Sequence, residues 1–160
     1  MRGGEGAHTN AALAALAALL DNNENRERLF NAHPRSFENL VDLLAGAGKD
    51  YQRIYDVAYI VWMLSFSRRV CPHLAARNDV VPMMIHKART VPKEQEKVVR
   101  VTLGVLRNVL DRGGDDAGQI LVNSGVTRTL TTLDSRTWKD DDIVAAVSSL
   151  FDDLEEYAYC

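Results

Sequence analysis

Residues 93–110 read Lys93-Glu94-Gln95-Glu96-Lys97-Val98-Val99-Arg100-Val101-Thr102-Leu103-Gly104-Val105-Leu106-Arg107-Asn108-Val109-Leu110. At about 100° per residue, Val98, Val99, Val101, Thr102, Leu103, Val105, Leu106, Val109 and Leu110 cover an arc of roughly 200°. Lys93, Glu96, Lys97, Arg100, Gly104, Arg107 and Asn108 share the remaining strip. A helix apolar over more than half its circumference needs neighbours on several sides and leaves one face open. Upstream, residues 54–66 carry apolar side chains in every direction, which predicts a helix buried between others.

Outward from these helices the pattern repeats. Short amphipathic runs begin at Phe37, Val80 and Val126, 43 and 46 residues apart, each with a second apolar residue four positions later. Each is followed by a longer helix, ending at Phe66, Val109 and Leu154, with spacings of 43 and 45 residues. Units of about 40–47 residues built from helices are the spacing of armadillo and HEAT arrays. No run alternates with the period of a strand. The sequence therefore predicts an all-α fold, a right-handed α-solenoid of armadillo/HEAT-like repeats. Its units are residues 24–67, 68–113 and 114–160, preceded by an arm and lone helix over residues 1–23. Punctuation supports the boundaries: Ser36 and Asp79 as N-caps, Pro82 in a first turn, Gly113 as a left-handed stop, and Asp140 to Asp142 at the positive end of the last helix dipole.

The 160 residues suffice for one domain, and 46% hydrophobic with 26% charged side chains excludes a disordered chain. Net charge is −3, unevenly spread: residues 1–110 carry 15 basic and 11 acidic groups, residues 111–160 carry 4 and 11. Two cysteines, Cys71 and Cys160, build neither a disulfide framework nor a four-cysteine zinc site, and fit a reducing compartment. The apolar runs at 11–20 and 57–64 are shorter than the roughly 20 residues of a membrane-spanning helix, so no direct membrane insertion is expected. The first of them is flanked by Glu5 and followed by Asp21-Asn22-Asn23, which suits an Ala/Leu helix better than a signal peptide.

No catalytic or metal constellation emerges. Gly46-Ala47-Gly48-Lys49 lacks the length and preceding strand of a phosphate-binding loop. Cys71 and His73 diverge by about 200° on a helix, and His86 has Thr90 rather than a ligand at i+4. The acids at Asp152, Asp153, Glu155 and Glu156 read as a solvated face. No enzyme, cofactor or metal is expected. The feature that invites a partner is charge: residues 68–107 carry nine basic groups against Asp79, Glu94 and Glu96. Lys93, Lys97, Arg100, Arg107 and Asn108 are the candidate protein-binding residues, as a face for an acidic partner. A solvated groove covered by long basic stems would look the same in sequence. Residues 68–107 contain no Phe, Tyr or Trp, so no nucleic-acid partner is expected. A nuclear-import groove would need Asn four residues after Trp, whereas Trp62 is followed by Phe66.

Taken in order, Tyr51-Gln52 leading to Trp62, Leu64 and Phe66, then Cys71, His73 and Leu74, then Asn78, Val80, Val81 and Pro82 resemble the H subunit of the eukaryotic vacuolar-type proton-pumping ATPase (V-ATPase). The charged run Glu96-Lys97-Val98 with Arg100, the ending Leu106-Arg107-Asn108-Val109-Leu110 and the acidic Asp140 to Asp142 extend the likeness over roughly residues 25–157. The resemblance implies a non-catalytic regulatory protein that docks on the E and G subunits of the peripheral stalk and on the collar's a-type subunit. It implies a cytoplasmic protein, peripheral on the cytosolic face of acidic organelle membranes. That family's protein has more repeats in front and a helical domain behind. This chain is therefore expected to be a fragment or shortened relative, and functions of the C-terminal domain are not carried over. The alternative is a free-standing armadillo adaptor for peptides or trafficking proteins.

Overall fold

The computed structural model describes residues 3–158, and every regular element among them is a helix. The order is α1 (Gly3–Leu19), α2 (Asn23–Ala32), α3 (Ser36–Ala45), α4 (Tyr51–Ser65), α5 (Cys71–Ala76), α6 (Val80–Thr90), α7 (Glu96–Arg112), α8 (Ala117–Asn123), α9 (Val126–Asp134) and α10 (Asp141–Ala158). The all-α expectation holds, and the packing is that of an armadillo-like repeat region. The short-then-long alternation read from sequence is incomplete, because α2, α5 and α8 add a third helix before each pair. At six and seven residues, α5 and α8 are too short to show a helical period. They hold through burial of Cys71, Leu74, Ala75, Ala117 and Leu121 rather than through intrinsic helicity.

Packing links corresponding helices. The long helices form one ladder, α1 on α4, α4 on α7 and α7 on α10. The middle helices form another, α3 on α6 and α6 on α9, and the short helices α5 and α8 pack together. The core runs continuously through these layers: Leu20, Leu44, Ile54, Ile60, Leu64, Leu74, Met84, Leu103, Leu106, Leu121, Leu130 and Leu133 are fully buried. The Ala/Leu segment forms α1, with Leu13 turned inward and Leu20 buried just past its end. Thr9, Ala12, Leu13 and Leu16 of α1 face Ser36, Asn39, Leu40 and Leu43 across an apolar cleft of about 210 Å³.

Several helix ends differ from expectation. Ser36 is the first residue of α3, with Arg35 as its cap; Asp79 stands at the N-cap of α6 as expected, but its carboxylate accepts from the Arg77 guanidinium and makes no capping bond. Gly113 closes α7 in a right-handed conformation, and the left-handed residue is Gly114, at φ +99°. Asn22 and Asp50 do cap α2 and α4, accepting from Glu24 N and Arg53 N. Asp140 accepts from Asp142 N at the start of α10, as the acidic run predicts. Residues 54–66 are not buried on every side. Tyr55, Tyr59, Trp62 and Phe66 are half-buried and form one stripe along α4.

Candidate docking surface

The basic strip of α7 does not lie open to solvent as a uniform row. Arg100 reaches across to α10, 3.3 Å from Asp140 and 2.5 Å from Asp142. Arg107 donates to Asp153 and to the Ser149 hydroxyl, both at 2.6 Å, and lies 3.6 Å from Asp111. Lys97 gives its ammonium to Gln52 at 2.9 Å and sits 4.7 Å above the Tyr55 ring. Lys93 is exposed beside Glu94, Glu96, Thr137 and Lys139. Lys93 lies in the turn before α7 rather than on the helix, and the acids that Arg100 and Arg107 meet across the seam come from 40 to 46 residues downstream, beyond local reading.

Asn108 must be moved from the open strip to the interior. It is buried, its amide donates to Ser65 Oγ at 2.9 Å, and its side-chain oxygen accepts from Arg112 at 2.7 Å. The backbone carbonyl of Asn108 accepts from Cys71 Sγ at 3.4 Å. One residue thus ties α4, α5 and α7 together. Burial pushes the Cys71 thiol up to about 11, so it remains a protonated donor at neutral pH.

The wheel strip hides a second feature. A Cβ built on Gly104 would stand 2.6 Å from the Trp62 indole nitrogen, so only glycine lets the indole lie against α7. Trp62 belongs to the α4 stripe, with ring centroids 6.0 Å apart for Tyr55–Tyr59, 5.7 Å for Tyr59–Trp62 and 5.3 Å for Trp62–Phe66. Arg26 and Arg112 lie 5.6 and 5.8 Å from the Phe66 centroid. In sequence these rings read as core, because the basic residues that meet them are separated from them along the chain. The i, i+4, i+7, i+11 spacing of Tyr55, Tyr59, Trp62 and Phe66 is the local signal that they share a face.

Among the described residues no group of three or more His, Cys, Asp or Glu side chains could hold a metal, and no helix is long and apolar enough to cross a membrane.

A family profile for the H subunit of the V-ATPase matches residues 5–154. The chain belongs to that H-subunit family. It is 28% identical over 116 residues to the V-type proton ATPase H subunit of Dictyostelium discoideum, covering 72% of this chain and 25% of that relative. It is 27% identical over 141 residues to a probable V-type proton ATPase H subunit of Oryza sativa subsp. japonica, covering 87% and 30%. With the V-type proton ATPase H subunit of Drosophila melanogaster it shares 30% identity over 114 residues, covering 66% and 23%. The chain spans between a quarter and a third of the length of the first two. Within the stretch matched to the V-ATPase family lie nearly the whole of the long ladder and both sets of cations, those paired across α7 and α10 and those beside the α4 stripe.

Proposed function

We propose that this chain is a docking region of a V-ATPase H subunit, holding other parts of the pump through helix faces and taking no part in the chemistry of ATP hydrolysis. The carrying observation is the family match across residues 5–154, spanning nearly all ten described helices. Three three-helix units, residues 24–67, 68–113 and 114–160, present faces for the stalk's E and G subunits and for the collar's a-type subunit on the cytosolic side of acidic organelles. Docking would couple and regulate ATP hydrolysis and proton transport without a cofactor of its own. In this reading exposed Lys93, just ahead of α7, and exposed Lys97 on it are the cations that meet acidic stalk helices first, while Arg100 and Arg107 would engage them only by exchanging partners with α10.

Affinity purification of the tagged chain from cells tests this. Stalk and collar proteins in stoichiometric yield are the expected result. Recovery of only vesicle-coat or nuclear proteins would transfer the chain to the adaptor class. Lys93→Glu with Lys97→Glu should lower recovery of stalk proteins severalfold, and unchanged recovery rejects the strip as their interface.

A further inference from the structure

The cations on this face fall into two sets. Arg100 is matched by Asp140, just ahead of α10, and by Asp142 on it, and Arg107 by Asp153 of α10 and Asp111 of α7. Lys97, Arg26 and Arg112 are held only by neutral groups. Lys97 donates to Gln52, Arg26 to the carbonyls of Leu20 and Asp21, and Arg112 to the Asn108 side chain. None of the three has a carboxylate partner among the described residues. Each carries its positive charge without an ion pair among the described residues.

All three also meet the same aromatic row. Lys97 stands over Tyr55 at one end, and Arg26 and Arg112 stand by Phe66 at the other. From Tyr55 to Phe66 is eleven residues along α4, about 16 Å at 1.5 Å per residue. An extended chain covers that distance in about five residues. Between the ends lie Tyr59 and Trp62, half-buried, their rings in edge contact. The nearest acid on α4 is Asp56, which accepts from the Gln52 amide beside Lys97.

We propose that the Tyr55–Tyr59–Trp62–Phe66 stripe, with Lys97 at one end and Arg26 and Arg112 at the other, is a docking strip for an extended acidic peptide. The occupant carries Asp or Glu at both ends of a short apolar stretch of about five residues. Its terminal carboxylates meet the two cation sites, and its apolar side chains lie on the rings. Charge complementarity selects this partner: a basic peptide would bring like charges onto both ends of the row. A single nucleic-acid strand would stack on the rings, but three cations and a nearby Asp56 give it little phosphate contact. The strip uses different residues from the Lys93 and Lys97 stalk face apart from Lys97 itself, and its test is independent of pump association.

The test is fluorescence anisotropy with a dye-labelled acetyl-Asp-Glu-Leu-Pro-Leu-Ala-Glu-Asp-amide peptide and the full chain. Saturable binding is expected, weakened at least tenfold by Lys97→Glu and by Arg112→Gln. Arg128→Gln, exposed on α9 and outside both the strip and the α7 face, should change affinity less than twofold. Lys97 is exposed, so its variant reports on binding without disturbing the fold; thermal melts check the Arg112 variant. A counterpart with Lys at every acidic position should not bind. The proposal is overturned by absence of saturation up to about 1 mM peptide, by equal binding of the basic counterpart, by full affinity in the Lys97→Glu variant, or by tighter binding of an oligothymidylate than of the acidic peptide.

Discussion

At the scale of single residues, the interior contains a few polar groups whose burial is not compensated. Thr129 is fully buried and its hydroxyl has no partner, in contrast to Thr102, which returns its hydroxyl to Val98 and Val99 carbonyls. Thr129→Val keeps the shape and removes the orphan donor, so a gain of about 1 kcal/mol is expected in urea unfolding. Lys87 is 8% exposed on α6, and burial lowers its ammonium below the ordinary 10.5. A lysine depressed in the folded state opposes folding at pH values where it is charged. That opposition is relieved as pH rises through the lowered value towards 10.5. Lys87→Met should stabilise by about 1 kcal/mol at pH 7, and the variant's advantage should shrink as pH approaches 10.5; a constant advantage across that window would show that burial of the charge is not its cause. Gly104→Ala runs the other way. In a free helix alanine would gain about 1 kcal/mol, but against Trp62 the added methyl forces the indole aside. A net loss of about 1–3 kcal/mol with a shifted tryptophan emission is expected. Gly104 and Asn108 both fall on the polar strip of the wheel, yet one is a seat for an indole and the other a buried junction. Periodicity sorts residues by direction, and it does not show what another helix brings to that direction.

At the scale of elements, the long helices are legible in sequence because their apolar sets are long enough to establish a period. The strip of α7 is legible as a strip, with Lys97 and Arg100 exposed upon it. Its partners are not, since the seam between α7 and α10 is made by residues more than forty positions apart. Arg107 is the anchor of that seam, only 27% exposed and bonded to both Asp153 and Ser149. Arg100 is more open, at 57%. Exposed ion pairs contribute a few tenths to about 1 kcal/mol, and salt screens them. A double-mutant cycle of Arg107→Ala with Asp153→Ala should therefore give a coupling of about 0.5–1 kcal/mol in low salt, falling by more than half in about 1 M salt. The same cycle on Arg100 and Asp142 should give less. Equal, salt-insensitive couplings would mean that packing of the arginine stems, rather than charge, closes the seam.

At the scale of the whole molecule, the repeat spacing of about 45 residues is sufficient to specify stacked layers, and the short helices stay invisible because six or seven residues carry no period. Layered architecture has a consequence for stability. Each layer touches only its neighbours, so protection from solvent depends on position in the stack rather than on distance from a single centre. α7 packs against α4, α5, α6, α8 and α10, whereas α1 rests on α4 and leaves Ala11, Ala12, Ala14, Ala15 and Ala18 exposed. α10 covers α7, α8 and α9 with one side and leaves Val144 half-exposed on the other. Opening at either end exposes little buried surface, while opening at α7 requires separation of every layer it joins. Amide hydrogen exchange should accordingly find the slowest protons in Val98–Val109. Those of α1 and α10 should exchange at least tenfold faster, through openings that do not require global unfolding. Uniform protection from α1 to α10 would identify a single cooperative unit, and the nearest-neighbour account of this stack would then be wrong.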